Sequence, residues 1–124
     1  MKALLDTHAL IWALEGSSKL SKAARRVIED GQHEILVSAA SAWEIAVKKS
    51  MGRLSVPDDL IEAVDAAGFV RRSVGFAEAR RLESLPRLHG DPFDRMLIAH
   101  ALEEGAAIVT RDAAIAHYPV QTIW

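Results

Sequence analysis

Residues 2–14 read KALLDTHALIWAL. A short apolar run closes on Asp6, and the spacing from Thr7 onward is helical, so a strand passes into a helix with no hairpin turn between them. The same unit recurs along the chain. EILVS at 34–38 leads into AASAWEIAVKKSMG, a helix ended by Gly52, and AAIVT at 106–110 leads into RDAAIAHY, a short helix or turn. Between these lie further helical patterns. LSKAARRVIEDG has a Ser N-cap and a terminal Gly, VPDDLIEAVDAAG opens near Pro57 and ends at Gly68, GFAEARRLESLP runs to Pro86, and DPFDRMLIAHALEEG is a long helix. FVRRSV and VQTIW read as short strands. Continuously apolar strands alternating with amphipathic helices predict an α/β sandwich, a mostly parallel sheet of about five strands covered on both faces. At 124 residues, the expectation is a single domain over 1–124.

Composition narrows the function classes. A formal charge of −2 gives no global attraction to nucleic acid, so phosphate contacts would have to come from local groups such as Lys48-Lys49-Arg53, Arg71-Arg72 and Arg80-Arg81. The chain has no cysteine, which excludes disulfides and zinc–thiolate sites and suits a reducing cytoplasm. The N-terminal apolar stretch carries Asp6, His8 and Glu15 in too short a run for a membrane span, and it lacks a cleavage pattern.

In a parallel sheet, ligands bind outside the carboxyl ends of the strands, which directs attention to acids placed there. Asp6 closes the first strand and Asp112 follows AAIVT within TRD. Taken singly, each reads more readily as a helix cap. Glu44 sits at the edge of a stripe made by Ala40, Val47 and Met51, with Lys48 placed for an i,i+4 ion pair. Asp94 is different. At 100° per residue it centres the face of Phe93, Leu97, Ile98, Ala101 and Leu102, while Arg95, Met96, Ala99 and Glu103 point away, and Asp91 already supplies the cap. Two carboxylates about 5 Å apart repel by roughly 3 kcal/mol at an effective dielectric near 20. Four gathered acids therefore require a counter-charge, and an oxygen-only set without Cys or an HExxH pattern favours Mg²⁺ or Mn²⁺. With no GxxxxGK[ST] or GxGxxG motif, such a site suits phosphodiester hydrolysis.

The segments LLDTHALIWAL, SAASAWEIAVKKSMGRL, HGDPFDRMLIAHA, IVTRD and YPVQTIW together resemble PIN-domain proteins, in particular the VapC-like toxins of type II toxin–antitoxin pairs. The likeness runs nearly end to end. It implies a three-layer α/β/α sandwich, Mg²⁺- or Mn²⁺-dependent endoribonuclease activity, a cognate antitoxin protein and a homodimer. Carried over by position, the catalytic set is Asp6, Glu44, Asp94 and Asp112, with Asp6, Asp94 and Asp112 as metal ligands. Thr7, Ser41, Asp91 and Thr110 are secondary site positions. Thr7 and Thr110 read equally as helix or turn caps, and Ser41 as the cap of the third helix. His8 and Arg95 are subgroup features.

Candidate RNA contacts are Lys48, Lys49, Arg53, Arg87, Arg95 and Arg111, because RNA is held by cations around the reacting phosphate. Periodicity puts Trp12 and Trp43 on the apolar sides of their helices, hence in the core. A receiver-like phosphoacceptor domain fits poorly, since Asp6 is a lone acid, EILVS ends in Ser38, and Arg111 stands where a lysine is needed. A DxDxT phosphatase fails on DTHAL. A catalytically silent PIN-like binding module remains the alternative that an activity assay separates.

Overall fold

A computed structural model describes residues 1–124. In chain order the elements are β1 (Lys2–Leu5), α1 (Thr7–Glu15), α2 (Lys22–Glu29), β2 (Glu34–Ser38), α3 (Ala39–Ser50) and α4 (Leu60–Ala66). They continue with β3 (Val70–Arg72), α5 (Phe76–Glu83), α6 (Pro92–Glu104), β4 (Ala107–Val109), α7 (Ala113–Ala116) and β5 (Thr122–Ile123). The five strands form one sheet in the order β3-β2-β1-β4-β5, and every pairing is parallel. The expected architecture is therefore present, with a wholly parallel sheet.

Strand alternation builds the three layers. Ala3, Leu5, Ile35, Val37 and Val109 join a core with Ala9, Leu10, Trp12, Leu20, Ala24 and Val64 from the helices on one face. Leu4, Leu36 and Ile108 point the other way, into a core with Leu97, Ile98, Ala101 and Ile115. Because a strand turns successive side chains to opposite faces, runs that are apolar throughout are needed to fill both cores.

The helix ends are set by local chemistry. Ser21 accepts from Ala24 N to cap α2. Gly16 and Gly105 end α1 and α6 at φ of 64° and 65°, a left-handed backbone that a side chain would oppose. The helix expected from Pro57 begins only at Leu60, behind Asp59.

Strand order reverses about β1, which is followed by β2 on one side and flanked by β4 on the other. α1, α3 and α6 all present their N-termini at the carboxyl edge of the sheet, because α1 and α3 follow strands and α6 runs back toward the start of β4. That switch point is where the acids fall.

Candidate active site

Three of the acids are caps and cavity walls at once. Asp6 Oδ1 accepts from Ala9 N at 2.7 Å, Asp112 Oδ1 from Ala114 N at 2.9 Å, and Asp91 Oδ1 from Phe93 N and Asp94 N at 2.9 and 3.1 Å. The two readings of these residues do not compete, since the caps engage Oδ1 and the same carboxyl groups border one cavity. That cavity, about 340 Å³, is lined by Asp6, Glu44, Asp91, Asp94 and Asp112, with Lys48 and Arg111 as its cations. Thr110 does not line it but adjoins it, as its hydroxyl accepts from Asp112 N at 3.0 Å and favours the ionised Asp6 carboxyl.

Glu44 is held from two sides. Its side chain is only 6% exposed, and Lys48 Nζ donates to Oε2 at 2.6 Å, so the i,i+4 pair exists but is not a surface pair. The Thr7 hydroxyl donates to Oε1 at 2.6 Å and lies 3.2 Å from the Ser41 hydroxyl. Ser41 is fully buried and is not the cap of α3; that place belongs to Ser38, whose hydroxyl accepts from Ala40 N. Ser38 ends β2, one residue before the helical dihedrals begin, so Ser41 already points inward from the first turn.

Electrostatics mark the cavity as short of positive charge. Five carboxyl groups face two cations, a formal excess of three negative charges. Burial pushes the Asp94 carboxyl up to about 7, and Asp91, Asp112 and Glu44 add to the rise while His89 opposes it. Burial likewise raises Asp6, against the hydrogen bonds from Thr110 and Ala9, with Asp112 adding. Hydrogen bonding to Glu44 raises Lys48, whose charge is thereby secured. No three of these side chains are drawn into a ready-made ion cage. Asp6, Asp91 and Asp112 are each turned to their own helix amides. An all-oxygen donor set with excess negative charge fits a hard divalent ion.

The apolar wall differs in one respect from expectation. Trp12 is 9% exposed and belongs to the core, carrying Arg111 over its ring at 4.7 Å. Trp43 is not a core residue. It is 57% exposed and packs only edge-on against Phe93, 4.9 Å between ring centres. The inward face of α3 is instead made by Ala40, Ser41, Glu44 and Ile45, so the polar Ser41 and Glu44 take the side that a hydrophobicity pattern assigns elsewhere. α6 departs in the same way, because Ala99 and His100, opposite the apolar stripe, are fully buried too. The helix lies between the sheet and α5, and is covered on more than one side.

Of the candidate RNA contacts, Lys48 and Arg111 line the cavity. Lys49 is paired with Asp58 at 2.6 Å, Arg95 binds Pro86 O and the Tyr118 hydroxyl, Arg53 is exposed, and Arg87 borders a separate recess with His89, Gly90 and Arg95. His89 and Tyr118 were not singled out by the sequence. Only the position of His89, two residues before the Asp91 cap, offered a signal.

The PIN domain family matches residues 3–121. The chain belongs to the PIN-domain family. One relative is similar throughout: Ribonuclease VapC22 of Mycobacterium tuberculosis (strain ATCC 25618 / H37Rv) is 31% identical over 128 residues, covering 98% of this chain and 97% of that protein. Among solved structures, VapBC2 from Rickettsia felis bound to a DNA fragment from its promoter superposes with a TM-score of 0.67 at 14% identity, over 98% of this chain and 97% of that one. A domain of a functionally unknown protein from Methanocaldococcus jannaschii DSM 2661 gives 0.55 at 18% identity, over 98% and 88%. At those identities the two structures establish the PIN fold, and the recess between β1 and β4 is where this PIN domain gathers its acids.

Proposed function

We propose that this single PIN domain is a Mg²⁺- or Mn²⁺-dependent endoribonuclease, the toxin of a toxin–antitoxin pair acting in the cytoplasm. The observation that carries the reading is the meeting of Asp6, Glu44, Asp94 and Asp112, from four separate segments, around one cavity with too few cations of its own. Full-length similarity to a VapC ribonuclease supports RNA as the substrate class, and the VapBC fold likeness supports an antitoxin partner.

In this reading Asp6, Asp94 and Asp112 would hold the ion. A bound divalent cation supplies Lewis-acid polarisation of a phosphoryl oxygen and lowers the pKa of water. The chain's own residues do the rest. Lys48, fixed by Glu44, and Arg111, braced on Trp12, offer positive charge at the rim for the flanking phosphates. Thr7 and Lys48 hold Glu44 in its orientation across the cavity. Thr110 steadies Asp6 at the strand end. The homodimer is supported by α3, whose outward side shows Ala39, Trp43 and Ala46 exposed.

The test is cleavage of total RNA by purified protein. Wild type is expected to cut with Mg²⁺ or Mn²⁺ and to stop in EDTA, and Asp6→Asn and Asp94→Asn to lose at least about a hundredfold in rate while remaining folded. Undiminished cleavage by both variants would contradict the assignment. A folded wild type that never cuts would favour the silent binding module.

A further inference from the structure

The Tyr118 side chain is buried beneath the loop that leads into α6, and three groups meet at its phenol oxygen. The His89 backbone N–H donates to it at 3.1 Å. Arg95 Nη1, itself anchored on Pro86 O, donates at 3.1 Å. The third group is Nδ1 of the His89 ring, at 3.2 Å. A phenol oxygen has two lone pairs and one proton. The amide and the guanidinium can only donate, so they occupy the lone pairs, and the phenol's proton must go to Nδ1. In the neutral ring that leaves the hydrogen on Nε2. Hydrogen bonding by the loop, rather than chance, selects this tautomer. Burial tends to raise the Tyr118 phenol, yet the donors from His89 and Arg95 outweigh it and hold the phenol below its usual pKa, in keeping with an oxygen that accepts twice.

The hydrogen so placed has one conspicuous feature. Nε2 is buried and has no hydrogen-bond partner, and it faces Asp94 Oδ2 at 3.7 Å, too far for a hydrogen bond. An unpaired buried donor is costly, which makes the carboxylate it faces its natural acceptor. Asp94 thereby has one oxygen turned to a fixed N–H while the group as a whole borders the cavity.

We infer that His89, its tautomer locked by Tyr118, is a positioning residue that orients the Asp94 carboxylate for cation binding. The inference rests on the reading of Asp94 as a cation ligand given above. His89 touches neither ion nor substrate and acts only through Asp94.

Two readouts test it. Long-range ¹H–¹⁵N NMR on the metal-free protein reports which ring nitrogen carries hydrogen. Nε2–H in wild type and a mixture of tautomers in Tyr118→Phe are expected, and Nδ1–H in wild type would overturn the inference. Titration with Mn²⁺ alone, followed by EPR of the free ion, then gives the affinity. It should weaken about tenfold in His89→Ala and in Tyr118→Phe, and return in His89→Gln, whose amide N–H replaces the Nε2 donor. Equal affinity in wild type and Tyr118→Phe, or no recovery in His89→Gln, would overturn the positioning role and leave the metal reading standing. A wild type that takes up no Mn²⁺ would instead overturn Asp94 as a ligand. Tyr118→Phe removes a single oxygen and carries the test should His89→Ala fail to fold.

Discussion

An aspartate whose carboxyl is pushed up to about 7 weighs against the fold at neutral pH. The unfolded chain ionises Asp94 near pH 4, whereas the folded chain holds the proton until about 7. Between those values the native state binds more protons, so this group makes stability fall as pH rises through the window. A shift of roughly three units corresponds to about 4 kcal/mol at most, and less once local water is allowed for. Urea unfolding in EDTA should therefore show Asp94→Asn more stable than wild type at about pH 8, by about 2 kcal/mol or more, with the gain vanishing near pH 4. A variant less stable at both values would mean that Asp94 is individually compensated. Lys48 carries the opposite burden, because removing it strands the buried Glu44 carboxylate. Lys48→Met should lower the metal-free melting temperature at neutral pH, where the bonded ammonium is fully charged, and calorimetry reads this directly.

At the scale of the element, α6 combines an end that borders the acidic cavity with a buried middle. Asp91 caps it through two amides and also raises Asp94 by its charge. Asp91→Ser retains a capping oxygen and removes the charge, so unfolding free energy should change by less than about 1 kcal/mol while the titration of Asp94, followed by carboxyl ¹³C NMR, moves down. Further along, His100 is fully buried, with Nδ1 on the Ser38 hydroxyl at 2.8 Å. Burial pushes its imidazole below the usual value, against the pull of Glu78 and Glu104 and with a push from Arg72. Below about pH 6.5 the unfolded chain takes a proton that the folded chain refuses, so stability falls as pH falls. Asp94 tilts the profile the other way, and the two are separated in the Asp94→Asn background, where His100→Asn should flatten the remaining loss between about pH 7 and 5. Much of this was legible in the chain: Asp-Pro announced the start of α6, Gly105 its end, and EILVS and AAIVT their strands. Trp43, Ala99 and His100 were not, because periodicity assigns a helix one buried stripe, whereas α6 is covered on several sides and α3 spends its inward face on Ser41 and Glu44. The orientation of His89 depends on Tyr118, 29 positions away, and no local pattern records that contact.

For the molecule as a whole, the β3-β2-β1-β4-β5 order brings together acids that are up to 106 positions apart, Asp6 and Asp112, at neighbouring strand ends. Asp6 and Asp112 were each visible alone as a cap; the sheet order is what places them beside Glu44 and Asp94 at one cavity. The outward face of α3 gives a second whole-molecule expectation, that Trp43→Glu converts a dimer into a folded monomer, as read by light scattering with circular dichroism. The central claim is that the gathered carboxylates need a divalent cation. Thermal unfolding with and without saturating Mn²⁺, at about pH 8, tests it most directly. Wild type should gain several degrees on Mn²⁺ addition, and Asp94→Asn should start higher and gain almost nothing. A wild type indifferent to Mn²⁺, or a variant that responds equally, would contradict the account.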